Sequence, residues 1–236
     1  MLCRVANLYV EVPAVGGMDF RCKDYLCEED HIADIVIDAG QYRPEVYPES
    51  LSEESVVYLE SGWQFYAKLI EFGGLMLHAS AIELDGRAYL FSGPSGMGKS
   101  THTRLWQQIF GAEAQVFNDD KPALRREDGR WYAYGTPWCG KDGINQNKRV
   151  PLAGICFLKR GQENVICRLG EKDVIGHVLY QTLHQFRTAE RLEPLLDSLG
   201  RLVREIPVFE LENLPEEAAA RLSYETMSRA AKEMGL

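Results

Sequence analysis

Short apolar runs separated by turn residues fill the first fifty positions. "VANLYVEV" from Val5 and "IADIVIDA" over Ile32–Ala39 predict strands, and Pro44 and Pro48 interrupt the pattern. The next run, "SVVYLE", fits a strand or the start of a helix. From Ser61 the spacing lengthens. Trp63, Tyr66, Leu69 and Ile70 recur every three to four positions, which predicts a helix that Gly73-Gly74 stops. A boundary is expected there, between a β-rich N-terminal region (1–74) and a second unit (75–236).

The second unit opens with two apolar runs around Asp85-Gly86. That dipeptide supplies the positive φ angles of a two-residue turn, so "LMLHASAIELDGRAYLFSG" predicts a β-hairpin. Its second strand runs into "GPSGMGKST", and a helix follows with Leu105, Ile109 and Trp106 or Phe110 inward, ending at Gly111. "QVFNDD" predicts a short strand, and Asp128-Gly129 turns a second hairpin. "PLAGICFLKR" predicts a buried strand. Helices are expected from about Glu171, over Ala189–Glu205 and from Pro215, with a strand "VFELE" between the last two. Strands interspersed with helices indicate an α/β fold.

Gly93-Pro94-Ser95-Gly96-Met97-Gly98-Lys99-Ser100 satisfies G-x-x-x-x-G-K-[ST] in full. The chemistry needs each part. Backbone amides must approach phosphate oxygens closely, so side chains are absent at Gly93, Gly96 and Gly98. The helix N-terminus adds oriented amides. Lys99 is a point charge for the β- and γ-phosphates, Ser100 can ligate Mg²⁺, and Thr101 supports the phosphates. Phosphoryl chemistry also needs an acid to hold the metal and a group to take the acceptor's proton. Asp119-Asp120, about twenty residues after the lysine at the end of a strand, are the candidates: one faces the metal and the other the acceptor hydroxyl. His78, beside the strand that feeds the loop, is a candidate proton relay or phosphate partner, with a satisfied core histidine equally in keeping with the pattern. His102 and Arg104 are expected on the surface. Residues 141–160 hold five bases and one acid, so "GTPWCGKDGINQNKRVPLAG" suits a mobile basic loop closing over polyphosphate, with Arg149 and Lys141 leading.

Charge narrows the partners. The 236 residues carry a net charge of −9, all of it in residues 1–75, which hold 14 acids and five bases. Such a surface excludes nucleic acid as the expected partner. No run approaches the roughly 18 apolar residues of a membrane span. The start, "MLCRVANLYVEV", lacks the basic region and apolar run of a signal peptide. The six cysteines show no metal-type spacing. Reduced thiols in a cytoplasmic protein are expected.

Together, His78 in a hairpin before the loop, the loop Gly93–Ser100, the pair Asp119-Asp120 and "NKRVPLAGICFL" resemble the HPr kinase/phosphorylase catalytic domain. That domain shares its core with the ATP-dependent phosphoenolpyruvate carboxykinases. The resemblance spans about Leu75 to Pro215, and the chain looks like the small relatives that modify peptides; residues 1–74 lie outside it and are expected to select the substrate or be accessory. It implies an ATP- and Mg²⁺-dependent kinase acting on a Ser or Thr hydroxyl of a protein or peptide, in a P-loop core with a mixed sheet, a core that forms homo-oligomers in related domains. It implies Asp120 or Asp119 as base, His78 assisting, Ser100 and Asp119 on the metal and Arg149 on the transferring group. One stretch departs from the family: "WYAYGTPWCGK" holds no acid where the kinases carry one, which argues against phosphorolysis and against HPr as substrate. A small-metabolite kinase and a non-catalytic ATP-binding regulator are the alternatives. Dicarboxylate decarboxylation would need arginines that the region before His78 largely lacks.

Overall fold

The computed structural model describes residues 1–29, 31–182 and 189–236. The N-terminal part comprises β1 (Leu2–Val5), β2 (Leu8–Glu11), the short helix α1 (Met18–Arg21), β3 (Ile35–Val36) and α2 (Glu53–Leu69). "VANLYVEV" is therefore a turn and one strand. Ala6 and Asn7 take positive φ of 50° and 60° and fold β1 onto β2. Only Ile35 and Val36 of the second expected run pair, beside β2. "SVVYLE" is helical. α2 begins eight residues before Ser61, where the Ser52 hydroxyl caps the Ser55 N–H and Glu53 and Glu54 complement the helix N-terminus.

The rest runs β4 (Gly74–Met76), β5 (Ala79–Leu84), β6 (Arg87–Ser92), α3 (Lys99–Phe110), β7 (Gln115–Asn118), β8 (Ala123–Glu127), β9 (Arg130–Tyr134), β10 (Arg149–Arg160), β11 (Val165–Arg168), α4 (Glu171–Gln181), α5 (Ala189–Glu205), β12 (Val208–Asn213) and α6 (Glu217–Glu233). Both Asp-Gly turns form as expected, with φ of 54° and 69° at Asp85-Gly86 and 49° and 81° at Asp128-Gly129. β10 joins two parts of one nine-stranded mixed sheet. Its first residues pair with β9 in the antiparallel β4-β8-β9 run, and its later ones lie parallel between β6 and β12.

Helices cover both faces of this sheet. Alternation along β6 sends Tyr89 and Phe91 toward Trp106 of α3 and Met227 of α6. Ala88 and Leu90 pack toward Val174 and Val178 of α4 and Leu199 and Leu202 of α5. In β10 a register shift at Leu152–Gly154 turns the alternation over, so Leu152 and Ile155 share one face. A third apolar cluster joins β1, β2 and α2 to Ala123, Tyr134 and Trp138, so residues on both sides of Gly73 pack together. Among the described residues no helix is long and apolar enough to cross a membrane.

Candidate functional site

Strand polarity gathers the candidate residues at one edge of the sheet. β6, β10 and β12 run parallel, β5 runs against β6, and β7 against β5. The ends of β6, β7, β10 and β12 thus meet the start of β5. There Gly93 follows β6, His78 precedes β5, and Asp119-Asp120 follow β7. Ligands of α/β sheets sit at such carboxyl ends.

The glycine loop connects β6 to α3. Gly93, Gly96 and Gly98 have φ of 151°, 78° and 102°. A Cβ on Gly93 would stand 3.2 Å from the Leu158 carbonyl oxygen, whereas one on Gly96 or Gly98 would meet nothing. The last two serve their φ angles and leave the backbone uncovered. α3 begins at Lys99 without a side-chain cap, so its first amides remain open. The Lys99 ammonium is buried and donates to the carbonyls of Gly93 (2.9 Å) and Pro94 (3.4 Å). Burial lowers its pKa, with Asp120 opposing. Ser100 is half-buried; Pro94, Ser95 and Thr101 are exposed and Met97 is half-buried.

Asn118, the last residue of β7, shapes the acid pair. Its Oδ1 accepts from the N–H groups of Asp120 (3.2 Å) and Lys121 (2.8 Å), while its Nδ2 donates to the Thr136 carbonyl. The two acids then diverge. Asp119 Oδ1 accepts the Gly140 N–H at 2.6 Å, and burial raises this carboxyl's pKa against that bond. Asp120 Oδ1 lies 3.1 Å from His78 Nε2, and its Oδ2 lies 2.5 Å from Lys121 Nζ. Burial alone would raise the Asp120 pKa, but His78 and Lys121 outweigh it and hold the carboxyl far below its ordinary range. The Lys121 pKa is raised: burial works against its charge, and Tyr58 and Asp120 prevail. Lys121 Nζ also donates to the Tyr58 hydroxyl at 2.7 Å. That hydroxyl donates in turn to the Cys139 carbonyl at 2.8 Å.

Lys121 carries no sequence motif. Its role shows only once Tyr58, from α2, is folded against it. Arg160 is the second residue the motifs do not single out. It ends β10, and its guanidinium donates to the Gly96 carbonyl at 3.1 Å.

Arg149 is not brought to this edge. It starts the strand that Arg160 ends, so about eleven residues of extended chain, roughly 35 Å, separate the two. Arg149 instead pairs with Glu127 at 3.1 Å, bonds the Tyr134 hydroxyl and stacks over Tyr132. The expected basic loop is also fastened. Gln146 N–H bonds the Phe117 carbonyl, Asn145 bridges Asn118, and Lys148 pairs with Glu83. Only its early part, with exposed Lys141 next to Gly140, reaches the acids, and Asp142 pairs with Arg104 of α3 at 2.6 Å. His102, expected on the surface, is buried. Its Nε2 lies 2.9 Å from the Ser223 hydroxyl of α6, and burial lowers its pKa to about 4, leaving a neutral ring.

Three clefts adjoin this edge. One of about 810 Å³ lies between Gly93, Pro94 and α4, where His177 stacks on Phe157. Another of about 390 Å³ lies beyond Gly98 and Thr101, against Arg160 and Pro215. The third, of about 730 Å³, lies between the N-terminal part and residues 139–145.

No curated protein matches this chain. Among solved structures it is similar to the Hpr(Ser) kinase/phosphatase from Coxiella burnetii, with 12% identity, 66% of this chain and 90% of that one covered, and a TM-score of 0.38. Residues 46–214 match the family described as SynChlorMet cassette protein ScmC, well over half of the sequence. The chain therefore belongs to the SynChlorMet cassette protein ScmC family.

Proposed function

We infer that the chain is an ATP- and Mg²⁺-dependent kinase that moves the γ-phosphoryl group to the hydroxyl of a Ser or Thr in a peptide or protein. The observation that carries this is the His78–Asp120–Lys121 group at the sheet edge shared with the glycine loop. The uncapped amides at the start of α3 and the Lys99 ammonium suit the β- and γ-phosphates. The donors for a metal are the Ser100 hydroxyl and one carboxylate, Asp119, whose Oδ1 accepts the Gly140 N–H. Among the described residues no three His, Cys, Asp or Glu side chains form a metal cluster. So small an all-oxygen set fits Mg²⁺, which retains waters and shares phosphate oxygens; bound there, the ion would neutralise charge on the β- and γ-oxygens.

In the transfer the acceptor oxygen bonds to the γ-phosphorus as the bond from that phosphorus to the β–γ bridging oxygen breaks, its electron pair leaving with ADP. The acceptor's proton passes to Asp120. A loose transition state puts little charge on the acceptor until late, so the base orients the hydroxyl more than it strips it. A carboxylate kept ionised by Lys121 and bonded to His78 suits that task. Asp120→Asn is expected to keep Mg·ATP binding and lose about 10²- to 10⁴-fold in transfer of labelled γ-phosphate. Transfer at the wild-type rate would remove Asp120 from this role.

One observation favours a second reading, a nucleotide-binding regulator: both Asp120 oxygens are already engaged by cationic or hydrogen-bonding partners. Wild-type protein that binds Mg·ATP yet turns over no faster than Asp120→Asn would support it.

A further inference from the structure

We propose that the cleft between the N-terminal part and residues 139–145 receives the acceptor, a hydroxyl-bearing peptide with acidic residues beside the modified position; this rests on the kinase reading above. The other two clefts touch the glycine loop itself, where nucleotide would lie. This third one touches no loop residue. Its walls reach the acids instead, one directly and one through a lysine: Gly140 donates to Asp119, and Tyr58 accepts from Lys121, the partner of Asp120. A molecule here would reach the acids from a cleft separate from those that touch the glycine loop.

Charge selects the occupant. Residues 1–75 hold only five bases among 14 acids, yet two of the five, Arg21 and Lys23, face this cleft, joined by Lys141 from the other wall. None of the three forms an ion pair among the described residues. Arg21 lies over the Tyr58 ring at 4.7 Å, and Lys121 lies over the same ring at 4.7 Å, so the aromatic wall is already flanked by cations. Asp24 and Glu54 also line the cleft, so its three bases outnumber its acids by one. The size, about 730 Å³, suits several residues of extended peptide. Gly17 and Gly143 have φ of 76° and 68° and open space where a Cβ would stand, which exposes main chain for a peptide backbone to bond. Phe20, 71% exposed, offers an apolar contact.

The test uses the full chain, Mg²⁺, γ-labelled ATP and three equimolar decapeptide pools with a central serine flanked by acidic, basic or neutral residues. Acidic-flanked peptides should be labelled about tenfold faster than basic-flanked ones, and Arg21→Glu/Lys23→Glu should abolish or invert that ratio while the KM for ATP is unchanged. The single Lys23→Glu, at an exposed position, serves if the double variant does not fold, and should shift the ratio the same way with the KM for ATP unchanged. Equal labelling, a basic preference, or a ratio unmoved by the charge swaps overturns the proposal. Label released only to water, or placed only on metabolites from a cell extract, overturns it too, while leaving phosphoryl transfer standing. Binding of Mg·ATP with no turnover to any acceptor or to water would instead defeat the kinase reading.

Discussion

Lys121→Met removes the charge from the group around Asp120 and keeps most of the side chain's volume. Two bonds go, the 2.5 Å contact to Asp120 and the 2.7 Å contact to Tyr58. Taking one partner from a fully buried pair costs about 3–5 kcal/mol, and an exposed pair contributes about 0–1 kcal/mol. Here the Lys121 and Asp120 side chains are 19% and 21% exposed. The loss should fall between, at about 2 kcal/mol, or about 4–8 °C in Tm for a chain of this size. The sign with pH follows from both partners. Asp120 has a depressed pKa, so its contribution is full above the ordinary carboxylate range and disappears as pH falls through its low folded value. Lys121 has a raised pKa, so its contribution is full below the ordinary lysine value and disappears as pH rises through the raised one. The Tm gap between wild type and variant should therefore persist from neutral pH down to about pH 4 and close only in stronger acid. Thermal melts across that range measure it. A gap under about 1 °C at pH 7 would mean that Lys121 does not hold Asp120 in place.

His102 has a pKa lowered to about 4, so stability should fall by about 3 kcal/mol as pH drops from about 6.5 to about 4; His102→Gln should flatten that limb of a Tm–pH curve. Arg149→Ala should leave transfer within about twofold while lowering Tm, since its partners are Glu127 and Tyr132, whereas Arg160→Met should raise the KM for ATP; the reverse pattern would refute the placement of the two arginines. Gly93→Ala combines a φ of 151° with a Cβ 3.2 Å from the Leu158 carbonyl, and should cost about 1–3 kcal/mol and weaken nucleotide binding measured by calorimetry.

Much of the frame was legible because it rests on local chemistry. Asp-Gly at 85–86 and 128–129 turns the chain whatever surrounds it, and the glycines before Lys99 announce a loop leading into a helix. The turn at Ala6-Asn7 carries a weaker signal: Asn tolerates a positive φ, but Ala does not favour one, and the turn joins β1 to β2. Burial of His102 was hidden for a similar reason, since Ser223, its hydrogen-bond partner, lies 121 positions away on α6. The acid pair was visible as a spacing, but Lys121 became part of the site through Tyr58, 63 positions earlier. Arg149 misled because sequence proximity to an apolar strand says nothing about which end of that strand faces the loop. A strand of twelve residues puts its two ends on opposite sides of the molecule.

That same strand has a consequence for how the molecule opens. β10 is hydrogen-bonded to β9 at its start and to β6 and β12 further along, so neither part of the sheet can be peeled away without breaking its ladder. The backbone amides of Ile155, Cys156 and Phe157 should then exchange with deuterium only through global unfolding, alongside those of Leu90 and Phe91 in β6. The strand that carries Arg160 to the glycine loop would act as a rigid spine, and the part holding Tyr58 and Arg21 would melt in a single transition with the part holding Lys99.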